Sequence, residues 1–305
     1  MGRDLGRIRC TCKYAGTACL DHLLKELEIK RCQSNLYSLR KNDMPIPYYH
    51  VDSFTGDLFA GNPAGVCILP AFLADGTMQK IAAENRHSET AFVVSRADGD
   101  FDLRWFTPEV EDDLCGHATL ASAYVLALRK HEAWPVRFHT CSGVLTVERD
   151  QDTFEMDFPT RPPQPCETPG ELLPALGVEM AQVMRSRDYL VVVEHAEQVR
   201  VLSPNISALA KLDIGIGGTI ITAPGEGEVD YVCRFFPPSV GIDEDPATGS
   251  IHCTLAPYWA GRLGKQTLCV QQLSARGGYM RCTIDGDRVK IAGKTRLYLQ
   301  GTIEL

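Results

Sequence analysis

The chain has 305 residues, more than one hydrophobic core usually organises, so two domains of ordinary size are expected. Apolar residues make up 44% and charged residues 23%, a globular balance, while a formal net charge of −8 suits neither phosphate backbones nor anionic membranes. Nucleic acid and membrane partners are therefore not expected; no apolar run approaches the ~20 residues that span a bilayer, no export signal opens the chain, and the cytoplasm is the expected compartment.

Residues 1–44 stand apart, with nine Lys/Arg against five Asp/Glu, a net of +4 that leaves −12 for the remainder. A strand pattern begins abruptly at Tyr48-Tyr49-His50-Val51-Asp52-Ser53-Phe54, just after Met44. The first 44 residues are thus expected to be an extension outside the fold, dispensable for it. Their Cys10, Cys12, Cys19 and Cys32 match no common zinc module, and no metal site is assigned. Elsewhere the thiols sit in apolar stretches such as Val66-Cys67-Ile68 and Leu268-Cys269-Val270 and read as reduced, mostly buried small hydrophobes.

After the first strand come a turn, Gly61-Asn62-Pro63-Ala64-Gly65, and a β-like Val66-Cys67-Ile68-Leu69. The most informative feature is an internal repeat. Arg104-Trp105-Phe106-Thr107-Pro108-Glu109-Val110 returns 130 residues later as Arg234-Phe235-Phe236-Pro237-Pro238-Ser239-Val240. Each copy leads through an acidic loop to a Gly and an apolar helix-like run, the first from Cys115-Gly116-His117 to Leu128, the second from Thr248-Gly249-Ser250 to Leu263. Around these runs the chain reads as strands at 144–148, 154–158, 189–193, 219–222 and 297–303, with Pro159–Pro169 as the crossing between halves. The glycine cluster Gly215-Ile216-Gly217-Gly218 lacks the spacing and the flanking strand and helix of a dinucleotide site. The expected fold class is α+β, two pseudo-symmetric domains, each a curled sheet or barrel around a central helix. Their bounds are read as 45–162 and 163–294, with the strand at 295–305 returning to the first.

Helices starting at Gly116 and Gly249 would leave backbone N–H groups free and permit close ligand approach, so a carboxylate could be held between two such termini. Ordinary capped helices are the other reading of the same residues.

His87-Ser88-Glu89-Thr90-Ala91-Phe92, Trp105-Phe106-Thr107-Pro108, Cys115-Gly116-His117-Ala118-Thr119 and Asp245-Pro246-Ala247-Thr248-Gly249-Ser250, in this order, resemble the PhzF family of phenazine-biosynthesis-like isomerases over about residues 47–305. The resemblance implies the diaminopimelate-epimerase fold with the active site between the halves, no cofactor, no metal, a small-molecule carboxylate substrate and a homodimer. It also implies Glu89 as the acid/base, with Gly116, His117, Asp245, Gly249 and Ser250 binding substrate. Taken alone, Glu89 would read as a helix-terminal carboxylate in solvent.

Racemases of this fold place one cysteine at the start of each helix. Cys115 stands at the first, and the matching place in the second half is read as Pro246, three residues before Gly249, which excludes a two-thiol racemase. The expected reaction is a shift of a proton and a double bond by one carboxylate acting on one face. The alternatives are an epimerase or racemase using Glu89 with Cys115, and a non-enzymatic binding protein, since a mammalian relative is named for binding another protein.

Overall fold

The computed structural model of the protein describes residues 45–212 and 217–305. The expected N-terminal extension with its four cysteines, and Gly215 and Ile216 of the glycine cluster, lie outside the described residues.

The first half runs β1 (Ile46–Ser53), β2 (Asn62–Leu69), α1 (Asp75–Asn85), β3 (Glu89–Ser95), β4 (Phe101–Phe106), β5 (Glu111–Asp112), α2 (Gly116–Leu128), β6 (Val136–Thr140), β7 (Gly143–Asp150) and β8 (Thr153–Pro159). The second runs β9 (Gln164–Pro165), α3 (Leu172–Leu176), β10 (Gln182–Arg185), β11 (Tyr189–Val192), α4 (Ala196–Arg200), α5 (Ile206–Leu209), β12 (Thr219–Pro224), β13 (Tyr231–Phe236), α6 (His252–Leu263), β14 (Thr267–Gln272), β15 (Gly278–Asp285) and β16 (Arg288–Ile303). The two halves repeat one plan. In each, two parallel pairings, β2–β3 with β4–β6 and β11–β12 with β13–β14, interrupt an otherwise antiparallel order.

The halves are joined through their last strands. β8 pairs antiparallel with Arg288–Lys294 of β16, and β16 then continues over Thr295–Ile303 alongside β1, closing the first sheet into a barrel. The counterpart of that return is the Pro-rich segment after β8, where only Gln164 and Pro165 pair, with β10. Proline has no N–H to give a ladder, so this closure is short.

α2 explains the barrel's size. Its sequence, GHATLASAYVLAL, is apolar all round, and such a helix is stable only when surrounded. Leu120, Val125 and Leu126 pack among Val51, Val66, Trp105 and Phe154 of the encircling strands, in a core continuous with that around Leu255 and Trp259 of α6. α1 covers the outer face of β3, so Phe92 and Val94 are buried on that side as well. Elsewhere strand alternation decides exposure. Leu268 and Val270 of β14 face inward and Cys269 between them faces out, so this cysteine is exposed, against the expectation that its apolar flanks bury it. Cys67, Cys115, Cys233, Cys253 and Cys282 are buried free thiols.

Candidate active site

The sequence repeat is repeated in three dimensions. Arg104 on β4 makes a two-pronged pair with Glu111 at 2.6 and 2.7 Å, and its guanidinium lies 5.2 Å from the centre of the Phe106 ring. Arg234 on β13 pairs with Glu244 at 2.7 and 2.9 Å and lies 5.0 Å from the Phe236 ring. Each pair ties a strand to the acidic loop that follows it, and thereby aims that loop at the start of a helix.

Register across the loops aligns the halves residue by residue. Trp105 faces Asp112, and Phe235 faces Asp245. Asp112 is therefore the counterpart of Asp245, and counting three onward places Thr248, not Pro246, opposite Cys115. Pro246 falls opposite Asp113, so the position expected from the sequence was out by two residues: Thr248 stands immediately before Gly249, as Cys115 does before Gly116. The second position still carries no thiol. The two glycine turns also differ in form: α2 begins at Gly116 directly, whereas Gly249 and Ser250 form a tight turn before α6 starts at His252. They touch, since a Cβ on Gly116 would lie 3.7 Å from the Gly249 Cα and 3.9 Å from the Ser250 N.

Glu89 is not helix-terminal. α1 ends at Asn85, Arg86 turns the chain in the left-handed region (φ 53°), and Glu89 opens β3 beside Ala64 of β2. It is buried, and its Oε2 lies 3.1 Å from Nε2 of the equally buried His117 on α2. The ring N–H is not aimed along this contact, so neither atom has a well-directed hydrogen bond among the described residues. Asn62 anchors the other side of the ring. Its amide nitrogen reaches Asp245 Oδ1 at 2.7 Å, the Ala247 carbonyl at 2.9 Å and His117 Nδ1 at 3.2 Å, while Cys115 Sγ lies 3.4 Å from that Nδ1. Placing the ring proton on Nε2, the nitrogen nearer the carboxylate, leaves the single Nδ1 lone pair to accept from Cys115, since both Asn62 N–H groups are taken by Asp245 and Ala247. Thr248 donates to Asp245 Oδ2, and Gln272 holds the loop through the Asp245 carbonyl at 2.7 Å and the Thr248 N–H at 2.8 Å.

The charges interact strongly. Burial pushes the Asp245 carboxyl up to about 6; His117 opposes the rise, and Glu89 adds to it. Burial and then Glu89 push Asp112 up to about 6. For His117, burial disfavours the charged ring, but Glu89 foremost, then Asp245 and Asp112, outweigh it and raise its pKa. The Cys115 thiol is pushed well above its ordinary value by burial and by the Glu89, Asp112 and Asp245 carboxylates, which makes it a poor thiolate base. Glu89, Cys115 and His117 each bring a ligand atom within 4.8 Å of the others. Their shortest contacts use opposite nitrogens of the ring, an arrangement suited to a hydrogen-bonded relay.

These groups line a cleft of about 380 Å³, which the loops after β4 and β13 also border. Glu89, Gly116, His117, Asp245, Gly249 and Ser250, all expected from the sequence, meet there. Asn62, Asp112, Arg187, Thr248 and Gln272 were missed as site residues. Asp112 could have been found by carrying the repeat through to the start of each helix. Asn62 stood in the Gly-Asn-Pro turn, and nothing in the sequence marked Gln272 or Arg187.

Residues 51–302 match the family model described as "Phenazine biosynthesis-like protein" (PhzC-PhzF). The chain belongs to this family. It is 51% identical to an uncharacterized isomerase of Pseudomonas aeruginosa, covering 86% of this chain and all of that one. It is 39% identical to the mouse phenazine biosynthesis-like domain-containing protein 2, over 85% of this chain and 99% of the mouse protein. The crystal structure of a PhzF-family phenazine biosynthesis protein from Enterococcus faecalis superposes with a TM-score of 0.82 at 42% identity, covering 86% of this chain and 100% of that one. The two-half fold expected from the sequence is thus the fold of the family. Like its bacterial relative, this PhzF-family chain is an isomerase.

Proposed function

We propose that this isomerase shifts a proton and a double bond within a small carboxylate substrate, needs no cofactor, and uses Glu89 to remove and return the proton on one face. The observation that carries the reading is an asymmetry between the halves. β3 pairs with β4 and β12 with β13 in matching register, Thr90 opposite Phe106 and Thr219 opposite Phe236. The residue before each threonine is therefore equivalent: Glu89 in one half, Gly218 in the other. A Cβ at Gly218 would come within 2.6 Å of the Phe235 ring, so no side chain fits there. One base on one face suits removal and return of a proton on the same side; inversion needs an acid and a base on opposite sides.

In this scheme the Glu89 carboxylate takes the acidic C–H proton and becomes a carboxylic acid. The electron pair left behind delocalises toward the substrate carboxylate, and Glu89 returns the proton at the allylic carbon. The substrate carboxylate lies against the N–H groups at Gly116 and Gly249, with His117 and Ser250, where developing negative charge is stabilised. Asp245, each of whose oxygens already accepts one bond, keeps lone pairs for a substrate amine or hydroxyl.

The experiment is hydrogen exchange with deuterated solvent over a panel of small unsaturated amino and hydroxy carboxylates, read by mass spectrometry. Glu89→Gln should lower exchange and turnover by about a hundredfold or more, the lower range for general acid–base catalysis. Exchange at wild-type rate in that variant rejects Glu89 as the base, and exchange accompanied by inversion at the carbon points to the epimerase.

A further inference from the structure

The cleft is acidic. Glu89, Glu109, Glu111, Asp112, Asp188 and Asp245 all border it, and among its described lining residues Arg187 is the sole lysine or arginine. Such a wall repels an anion unless donors are built in to receive it. The N–H groups at Gly116 and Gly249 can receive one carboxylate, which leaves Arg187 without a role.

Arg187 stands on the turn between β10 and β11, which is drawn tight by the Ser186 N–H bonding the Asp188 carbonyl at 3.1 Å. Strand register makes this turn the counterpart of the segment at Asn62 and Pro63: Gly65 lies opposite Thr90 in the first half, and Tyr189 lies opposite Thr219 in the second. Asn62 is fully engaged across the cleft, with Asp245 and Ala247. Arg187 is engaged with nothing of the kind. Its Nε is buried and without a hydrogen-bond partner among the described residues, and its guanidinium makes no ion pair with them. The neighbouring Asp188 feels the Arg187 charge, which tempers the rise that burial gives its pKa, but makes no hydrogen bond or ion pair with it; its Oδ1 accepts the Gly218 N–H at 2.7 Å. Glu111 is likewise taken, by Arg104. A buried guanidinium N–H left unpaired is costly, and a carboxylate matches the guanidinium fork and restores the bond.

We propose that Arg187 is a specificity-determining residue that binds a second anionic group of the substrate, so that the substrate class is a small dicarboxylate. This rests on reading the cleft as a carboxylate-binding isomerase site and narrows what it accepts. The first carboxylate lies at Gly116 and Gly249, and the second reaches the guanidinium of Arg187. A monocarboxylate fills the first position only.

The test is isothermal titration of the full chain with malonate, succinate, glutarate and adipate, each against the monocarboxylate of the same length. At least one diacid should bind about tenfold or more tightly than its monoacid, as expected of a charge-assisted pair. Arg187→Met should abolish that preference, weakening the diacid far more than the monoacid, while Arg187→Lys should keep part of it. Equal binding of diacids and monoacids by the wild type overturns the proposal, as does a preference that survives Arg187→Met. Binding is read without turnover, so this failure is separate from that of the proton-transfer scheme. Glu89→Gln should keep the diacid preference whatever becomes of its exchange.

Discussion

The two halves of this protein share an arginine-clamped loop, a carboxylate on that loop and a glycine where the loop meets its helix, yet only one half carries the buried glutamate. Where the first has Glu89, Cys115 and His117, the second has Gly218, Thr248 and Ser250. The second half instead supplies the better-organised acid: Asp245 is held by Asn62 and Thr248, whereas Asp112 is supported by the Leu114 N–H at a long 3.4 Å. A repeated scaffold has thus kept its geometry while its two sites differ, one holding the buried Glu89–His117 pair and the other a fixed polar wall around Asp245.

The largest expected effect tests the shared clamp. Arg234 is the more buried of the two arginines, and besides Glu244 it donates to the Val199 and Leu202 carbonyls at 3.2 and 2.7 Å. Arg104 pairs with the more exposed Glu111 and Asp75. Arg234→Met strands a partly buried carboxylate and two carbonyls, and should cost about 3–5 kcal/mol in urea unfolding. Arg104→Met should cost about 1 kcal/mol. Equal losses would mean that the halves depend on their clamps alike.

A middling effect separates the two loop carboxylates by pH. The Asp112 pKa is raised from 3.8 to about 6, so the native state holds this proton more tightly than the unfolded chain does. Stability from this group is therefore present below the unfolded value and is lost as pH rises from about 4 toward 6. Asp112→Asn cannot ionise. It should melt higher than wild type at pH 7.5, by the equivalent of about 1–2 kcal/mol once partial exposure discounts the full two-unit shift. That advantage should vanish in melts at pH 4, and a gain that does not change with pH would reject the cause given. Asp245→Asn should gain less, since an amide nitrogen in place of one carboxylate oxygen cannot accept the bond that Asn62 or Thr248 gives there.

The smallest effect concerns Cys115. If the thiol only packs against His117, Cys115→Ala should keep activity within about tenfold of wild type, far less than the loss in Glu89→Gln. Equal losses from the two variants would restore the epimerase reading and undo this asymmetry between the halves.

Much of this was open to reading in the chain itself. The 130-residue repeat, the apolar run from Gly116 to Leu128 and the alternating strands at 154–158 and 219–222 all follow from local rules of period and propensity, and those are written in order along the sequence. They determined the two-half plan and the two glycines where its loops meet its helices, and family motifs added Glu89, His117, Asp245 and Ser250. What the sequence could not determine was which distant residues meet. Asn62 lies 183 positions from Asp245, Gln272 lies 24 from Thr248, and the pairing of β8 with β16 joins segments more than a hundred residues apart. The burial of Glu89, its glycine counterpart at 218 and an Arg187 Nε with no hydrogen-bond partner among the described residues were decided only when folding brought those segments together. Burial and hydrogen bonding are properties of a residue's surroundings, and here the surroundings come from segments distant in the chain, as His117 beside Glu89 and Asp245 beside Asn62.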